Sequence, residues 1–325
     1  MRLRMIRRLI PGILLMWTTL GAAAAATETE MSVGAESQRI VGTLALPASA
    51  AKASVVVLLV SGSGPTDRDG NSALLPGRND SLKLLAQGLA DAGIATLRYD
   101  KRGVGASKAA LASGQAGARF ETYVADAVAW LQQLKRDARF NSVVVLGHSE
   151  GALIGMLAAR QGAADAYISL AGSGYPAAVL LRRQLQGKLS GELAQHSERI
   201  LRSLEGGQTA DDVPPALRVM YDPSLQPYLI GWFAHDPAAE FSALKMPALV
   251  VQGSTDLQVP IADANALHAA NPASQLLIVT GMNHVLKDVP ADRERQRASY
   301  VDPSQPLSPT LVPAIAAFVN GALKH

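Results

Sequence analysis

The stretch VVVLGHSEGALIG, residues 143–155, decides the fold. It joins a run of β-branched residues to an alanine-rich segment and places Ser149 inside the pattern G-x-S-x-G. A turn of this kind between a strand and a helix strains the serine and lifts its hydroxyl above the edge of a sheet, and a side chain at Gly147 or Gly151 would crowd it. Ser149 could also be an ordinary helix-capping serine, so the rest of the chain must decide whether it is a nucleophile.

The segments around this stretch alternate between strand and helix patterns. Short connections join apolar, β-branched runs to segments with apolar residues at helical spacing. Such alternation favours right-handed crossovers and a mostly parallel central sheet flanked by helices, which is the α/β class. The predicted strands are 40–46, 54–60, 94–100, 142–146, 166–170, 247–252 and 275–280, and the predicted helices are 81–92, 120–138, 152–160, 177–204, 261–270 and 310–323.

The composition suits one large domain, which we place at residues 27–325. The chain has 325 residues, of which 48% are hydrophobic and 18% charged, so it can bury a substantial core. It contains no cysteine, which excludes disulfides and a lipid-modified N-terminal cysteine. Its sequence has no P-loop and no metal-binding histidine pair, and the G-V-G at 103–105 lacks the spacing of a nucleotide fingerprint. We therefore expect no cofactor and no metal.

Residues 1–26 are typical of a secretory signal peptide. A basic start precedes an apolar stretch at 9–20 and an alanine run at 22–26. Retention as a membrane anchor is the alternative, but Pro11, Gly12 and the small-residue end argue against it. We expect cleavage in the alanine run, export to the periplasm or the medium, and no stable membrane insertion of the mature chain.

The positive formal charge of the chain comes from this leader. The whole chain has 30 basic and 27 acidic side chains, and cleavage after residue 26 removes four arginines and no acidic residue. The mature domain then has 26 basic and 27 acidic side chains. This balance gives no electrostatic reason for a nucleic-acid partner, and we expect none.

The strand and helix rhythm breaks at about 173–244. There a long helical stretch is followed by GGQTADDVPP and a segment rich in proline and aromatic residues. Five of the chain's 15 aromatic residues fall within 21 positions of this segment, namely Tyr221, Tyr228, Trp232, Phe233 and Phe241. We predict a helical cap inserted over the sheet, whose aromatic side chains either line an apolar pocket or attach the insertion to the body.

Two late loops supply the partners that a nucleophilic serine requires. A serine hydroxyl needs a base, and the base needs an orienting carboxylate, in the chain order serine, acid, histidine on loops that follow strands. Asp256 follows the next-to-last predicted strand and His284 follows the last one. Among the other histidines, His148 directly precedes the serine and is expected to point away from it. We therefore predict a catalytic triad of Ser149, Asp256 and His284.

A tetrahedral intermediate also needs backbone N–H donors for its oxyanion. One donor is expected at Glu150, directly after the nucleophile and at the positive end of the following helix. The other is expected at Ser63, in the SGSG loop that follows the strand at 54–60. The Glu150 side chain should point off the turn, toward either the first oxyanion loop or the substrate.

Residues 38–325 resemble an α/β-hydrolase. The resemblance rests on SGSGPTDRDGN (61–71), RYDKRGVGAS (98–107), GHSEGALIG (147–155), and QGSTDLQVP (252–260) with GMNH (281–284). Together these segments are similar to a bacterial carboxylesterase branch close to the serine aminopeptidases. The resemblance implies a serine esterase that acts through an acyl-enzyme on small-molecule esters, commonly short-acyl ones, with Ser149, Asp256 and His284 as its triad.

Several features leave alternatives open. A peptidase, amidase or lipase would use the same triad, and a catalytically silent binding protein would share the scaffold. Ser61 stands where many relatives carry histidine, which affects the hydrogen bonding of the oxyanion loop. Five charged residues in the matching segments are interpreted as structural braces for their loops: Asp67, Arg68, Asp69, Asp100 and Arg102.

Overall fold

A computed structural model describes residues 26–48, 54–111 and 119–323. The signal peptide predicted for residues 1–26 therefore lies outside the described residues, apart from Ala26. Across the described ranges, no helix combines the length and the apolar character needed to span a membrane.

The centre of the protein is an eight-stranded sheet with the strand order β1-β2-β4-β3-β5-β6-β7-β8. Its strands are β1 Thr27–Val33, β2 Ile40–Leu46, β3 Val55–Val60, β4 Ala95–Tyr99, β5 Ser142–His148, β6 Ala166–Leu170, β7 Ala248–Gly253 and β8 Gln275–Val279. The strands from β4 to β8 in this order run parallel, whereas β1 and β2 pair antiparallel. The mostly parallel sheet predicted from the alternation is confirmed.

Helices cover both faces of this sheet. They are α1 Ser81–Asp91, α2 Phe120–Arg136, α3 Glu150–Gln161, α4 Ala177–Leu185, α5 Gly191–Glu205, α6 Arg218–Tyr221, α7 Gln226–Phe233, α8 Pro237–Ser242, α9 Ile261–Ala270, α10 Arg293–Ser299 and α11 Leu311–Ala322. Val56 and Leu58 of β3 pack in the core with α2 and α3, while Val57 and Leu59 pack in the core with α1 and α11. Because both faces of β3 are buried, its sequence is continuously apolar.

The edge strand β1 was not predicted. Its TETEMSV sequence is mostly exposed, and it pairs with only one neighbour, β2. Glu28 on β1 forms a salt bridge of 3.0 Å with the buried Arg98 on β4. An exposed edge strand needs no apolar run, so the pattern that identifies the buried strands does not detect it.

The helix predicted at 177–204 is two helices, α4 and α5. Gly187, between them, has a φ of +73°, and Gly191, the first residue of α5, has a φ of +57°. Glycine adopts this left-handed region without the steric cost of a side chain, so the helix is interrupted there. The periodicity of apolar residues continues across the break because both helices bury one face in the same cluster.

The insertion between β6 and β7 contains α4 to α8. Residues 177–233, which we call the cap, enclose a separate apolar cluster that includes Ile200, Leu217 and Tyr221. Helix α8 belongs to the body instead, since Phe241 packs edge-on against Tyr167 with ring centroids 6.2 Å apart. The cap is therefore stabilised largely by its own apolar contacts.

Candidate active site

Ser149 sits in a strained turn at the end of β5. Its φ is 57° and its ψ is −123°, and α3 begins at the next residue. A Cβ on Gly147 would lie 2.0 Å from the Gly151 carbonyl oxygen, and a Cβ on Gly151 would lie 2.4 Å from the Val60 carbonyl oxygen. Both contacts are far below van der Waals distance, so the turn requires glycine on either side of the serine. Positive φ at a non-glycine residue stores strain, which is found most often at functional sites.

Asp256 and His284 are in direct contact at the same edge of the sheet. The Nδ1 atom of His284 lies 2.8 Å from Oδ2 of Asp256, and both side chains are buried. Asp256 follows β7 and His284 follows β8, as the sequence predicts. A carboxylate accepts, so Nδ1 carries the hydrogen and Nε2 of the neutral ring keeps its lone pair as a base.

The Asp256 carboxylate is held by four hydrogen bonds. Besides His284, it accepts from Nε2 of Gln252 at 3.0 Å and from the backbone N–H groups of Gln258 at 2.7 Å and Val259 at 3.0 Å. Burial alone raises the pKa of this carboxyl, but the His284 ring and these backbone donors lower it below its ordinary value. Asp256 therefore stays ionised at neutral pH and fixes the orientation of the histidine.

His148 has a role that sequence reasoning missed. Its Nε2 donates a hydrogen bond of 2.8 Å to the carbonyl oxygen of His284, and the two rings lie 4.9 Å apart. Burial and the neighbouring His284 lower the pKa of His148 to about 4, so its ring is neutral. His148, the residue before Ser149, thus ties the loop of His284 to the serine turn. A polar residue at the buried end of a central strand was the available signal.

The SGSG loop, predicted to carry the first oxyanion donor, approaches Ser149 closely. A Cβ on Gly62 would lie 3.2 Å from the Cβ of Ser149, and Ser63 lines the same cavity as Ser149. The loop is closed by two side-chain bonds: Ser61 Oγ donates to the Thr66 carbonyl at 3.3 Å, and Thr66 Oγ1 donates to the Ser63 carbonyl at 2.7 Å. Ser61 therefore stabilises this loop with its own hydroxyl.

The Glu150 carboxylate points into the interior beside Lys101. Only 2% of its side chain is exposed, and its Oε2 lies 3.7 Å from Nζ of Lys101, whose side chain is 4% exposed. Nζ of Lys101 in turn donates a hydrogen bond to the Gly62 carbonyl oxygen. Burial and the charge of Glu150 raise the pKa of Tyr228 well above its ordinary value and that of Tyr123 to about 12. Glu150 thus reaches the SGSG loop through Lys101.

The charged residues in the matching segments form ion pairs that brace the loops. The pairs are Arg68–Asp100 at 2.8 Å, Asp69–Arg98 at 2.8 Å and Arg102–Asp126 at 2.6 Å. Asp67 accepts from the backbone N–H groups of Asp69 and Asn71, at 2.9 Å each. These contacts join the loops to each other, to β4 and to α2, which agrees with the structural roles predicted for them.

A cavity of about 280 Å³ lies between the cap and the serine turn. Most of its wall is apolar, with Leu180 and Leu229 from the cap and Leu153 from α3. Tyr228 and Trp232 line it, whereas Tyr221, Phe233 and Phe241 are buried in the two cores. Glu150 is the only acidic residue of the described chain that lines this cavity. The described residues also contain no cluster of three or more His, Asp or Glu arranged to hold a metal ion.

The strand order, together with a serine turn after β5 and the acid and histidine loops after the last two strands, defines a class of protein. The chain has the α/β-hydrolase fold. A family profile described as serine aminopeptidase, S33, matches residues 73–204, which include the serine turn and the start of the cap.

Sequence and structure comparisons find esterases. Esterase EstD of Thermotoga maritima is 29% identical over 233 residues, which are 71% of this chain and 54% of EstD. The chain therefore spans about half the length of this curated relative. Est1E from Butyrivibrio proteoclasticus, solved with ferulic acid bound, superposes with a TM-score of 0.60 at 18% identity, over 90% of this chain and 99% of Est1E. An esterase of Pyrococcus furiosus superposes with a TM-score of 0.56 at 15% identity, over 97% of each chain.

Proposed function

We propose that this protein is a serine hydrolase of carboxylic esters that acts through an acyl-enzyme on Ser149. The observation that carries the proposal is the buried Asp256–His284 pair beside a strained serine turn that opens into an apolar cavity. EstD and the structural neighbours bear esterase names, which supports the same class of reaction.

In the first half-reaction, Nε2 of His284 takes the hydroxyl proton while Oγ of Ser149 attacks the ester carbonyl. The N–H groups of Ser63 and Glu150 stabilise the resulting oxyanion, and Asp256 stabilises the protonated histidine. The histidine then gives its proton to the leaving alcohol. In the second half-reaction it deprotonates a water molecule that releases the acid and restores Ser149.

We propose that the acyl group is short. The cavity of about 280 Å³ is small for a ligand pocket, since such pockets usually span about 300–1,000 Å³. Leucine side chains from the cap line it, so we expect longer chains to press against the cap. Short chains are expected to bury their apolar area without displacing cap residues.

A serine peptidase is the second candidate, because the matching family profile is that of serine aminopeptidases. A free substrate amine would need an acidic partner, and Glu150, the one lining carboxylate in the described chain, already faces Lys101. This arrangement favours esters over aminoacyl amides. An aminoacyl p-nitroanilide assayed beside the esters separates the two candidates.

The test of the proposed function compares wild type with Ser149→Ala on p-nitrophenyl acetate, butyrate and octanoate. We expect wild type to prefer the short esters and Ser149→Ala to lose at least about a thousandfold in kcat. Ser142→Ala makes the same change at the opposite end of β5 and should keep wild-type activity. Near-wild-type turnover by a folded Ser149→Ala protein would refute the proposal.

We also propose that the chain is exported with removal of residues 1–26. The support is the basic, apolar and alanine-rich order of the leader. Expression in a Gram-negative host, followed by fractionation and intact mass measurement, tests it. A processed chain in the periplasm or medium is expected, whereas a full-length chain in the cytoplasm or the membrane pellet would contradict the proposal.

A further inference from the structure

Two ionisable side chains, Lys101 and Glu150, lie buried between the serine turn and the first oxyanion loop, and the mechanism above does not use either of them. Lys101 is 3% exposed and Glu150 is 6% exposed. Burying two opposite charges costs desolvation free energy that their attraction only partly offsets, so such a pair is a weak source of stability. Because the pair lies beside Ser149, we consider its effect on the geometry of the active site.

Lys101 controls the direction of one peptide group. Its ammonium donates to the carbonyl oxygen of Gly62. That carbonyl and the N–H of Ser63 belong to the same planar trans peptide, so they point in opposite directions. A cation that holds the Gly62 oxygen in the interior therefore turns the Ser63 N–H toward the cavity, which Ser63 lines beside Ser149.

Glu150 connects this peptide to the second oxyanion donor. The backbone N–H of Glu150 follows the nucleophile, and its side chain turns inward to within 3.7 Å of the Lys101 ammonium. The Oε2 atom of Glu150 has no partner within hydrogen-bond distance, and at 3.7 Å it attracts the Lys101 ammonium chiefly through its charge. Burial lowers the pKa of Lys101, and the carboxylate of Glu150 opposes this effect. The carboxylate thereby favours the ammonium form that donates to Gly62.

We propose that the buried Lys101–Glu150 pair positions the oxyanion hole. Lys101 aligns the Ser63 N–H by holding the Gly62 carbonyl, and the Glu150 side chain connects Lys101 to the residue whose backbone N–H is the second donor. The inference rests on the proposed ester hydrolysis. Lys101 is a positioning residue and touches no reacting atom. Lys101 contributes to the stability of the transition state, because the carbonyl oxygen of the substrate carries negative charge in the transition state and not in the bound ester.

The test replaces the ammonium with an apolar group of similar length in Lys101→Met. With p-nitrophenyl butyrate, we expect kcat to fall about 10- to 100-fold and KM to change less than about twofold, since the donor is misaligned rather than removed. A trifluoromethyl ketone, which adds to the serine and forms an oxyanion, should bind more weakly by about the factor lost in kcat/KM. A purely structural role would not link these two losses.

Two further variants keep the test decisive. Lys101→Met/Glu150→Gln leaves no uncompensated buried charge and should show the same loss in kcat and ketone affinity. Lys135→Met removes another lysine that donates to a carbonyl oxygen, that of Ala163, away from the cavity, and should behave as wild type. Urea unfolding monitors the stability of each variant.

The outcomes separate this inference from the proposed function. If wild type hydrolyses esters and Ser149→Ala does not, but folded Lys101→Met keeps wild-type kcat and ketone affinity, only the positioning role is overturned. If neither the single nor the double variant folds, the pair has a role in stability and the inference is also overturned. If wild type lacks esterase activity, both proposals fail.

Discussion

The sheet edge and the cap build the same cavity by opposite means. At the edge, the loops after β3, β5, β7 and β8 bury polar groups whose positions are fixed by hydrogen bonds, as with the four bonds to Asp256. The cap at 177–233 contributes mainly apolar walls and is held by its own cluster. Under the proposed function, we expect the sheet edge to carry out the chemistry and the cap to select the acyl group.

The sheet edge and the cap also differ in how much space they leave for a larger side chain. A Cβ on Gly147 would meet a carbonyl oxygen at 2.0 Å, whereas no atom lies within 4 Å of a Cβ on Gly187 in the cap. Close-packed polar backbone tolerates little displacement, while apolar walls can repack at modest cost. Substitutions at the edge should therefore change rates by orders of magnitude, and those in the cap should change preference.

The largest effect is expected for Asp256→Asn. The amide keeps the shape but allows the wrong tautomer of His284, so kcat should fall by about a thousandfold to ten-thousandfold with little change in KM. Steady-state kinetics on p-nitrophenyl butyrate measures the loss. Asp165→Asn, which makes the same change where Asp165 accepts from Val143 at the other end of β5, should keep its activity. A loss below about tenfold would remove Asp256 from the triad.

Next in size is the contrast between two glycine substitutions. Gly151→Ala drives a methyl group against the Val60 carbonyl, so it should lower the free energy of unfolding by about 3 kcal/mol and reduce turnover in the folded fraction about a hundredfold. Gly187→Ala strains a left-handed residue in open space and should cost only about 1 kcal/mol with activity retained. Urea unfolding and active-site titration measure both. Equal losses of unfolding free energy and of turnover in the two variants would contradict the proposed difference between the sheet edge and the cap.

The buried His148 makes the sheet edge sensitive to acid. Its pKa lies at about 4 in the folded protein and near 6.5 in the unfolded chain, so between these values only the unfolded state takes up the proton. This group therefore leaves the free energy of unfolding unchanged above about pH 6.5 and lowers it progressively as the pH drops toward 4.

Between about pH 7 and about pH 5, wild type should lose about 2 kcal/mol of unfolding free energy more than His148→Gln, which keeps a donor for the His284 carbonyl. Urea unfolding at the two pH values measures the difference. An identical loss in both proteins would show that His148 is not the group responsible.

The smallest effect is expected in the cap. Leu180→Phe fills part of the cavity, so kcat/KM for octanoate should fall about tenfold relative to acetate. Leu185→Phe makes the same change on α4 at a residue outside this cavity wall and should leave the ratio unchanged. The ratio is measured with the p-nitrophenyl ester panel. A loss on acetate as large as that on octanoate would place Leu180 in the catalytic geometry instead.

The sequence predicts the parts of the fold that depend on continuous local patterns. The central strands are apolar because both of their faces are buried. The G-x-S-x-G turn can be recognised because a Cβ on Gly147 or Gly151 would lie 2.0 or 2.4 Å from a backbone carbonyl oxygen, so only glycine fits at these positions. The loops of Asp256 and His284 follow from the position of each residue after a strand. Their contact at 2.8 Å depends on strand order, which no local pattern encodes.

The remaining features depend on contacts between distant segments. The hydrogen bond from His148 to His284 spans 136 positions, and that from Lys101 to Gly62 spans 39. The place of His148 at the end of a buried strand signals that its side chain needs a polar partner, but the sequence does not identify which residue that partner is. The exposed β1 and the glycine break between α4 and α5 were missed because apolar periodicity reports burial and not chain reversal.

Covalent labelling tests the central claim most directly. A fluorophosphonate reacts with a serine only when a base and an oxyanion hole activate it. Wild type is predicted to take up one equivalent by intact mass, with the label on the peptide that contains Ser149, while Ser149→Ala stays unlabelled. An esterase-active wild type whose label lies on another residue, or which takes up none, would contradict the assignment of Ser149 as the nucleophile.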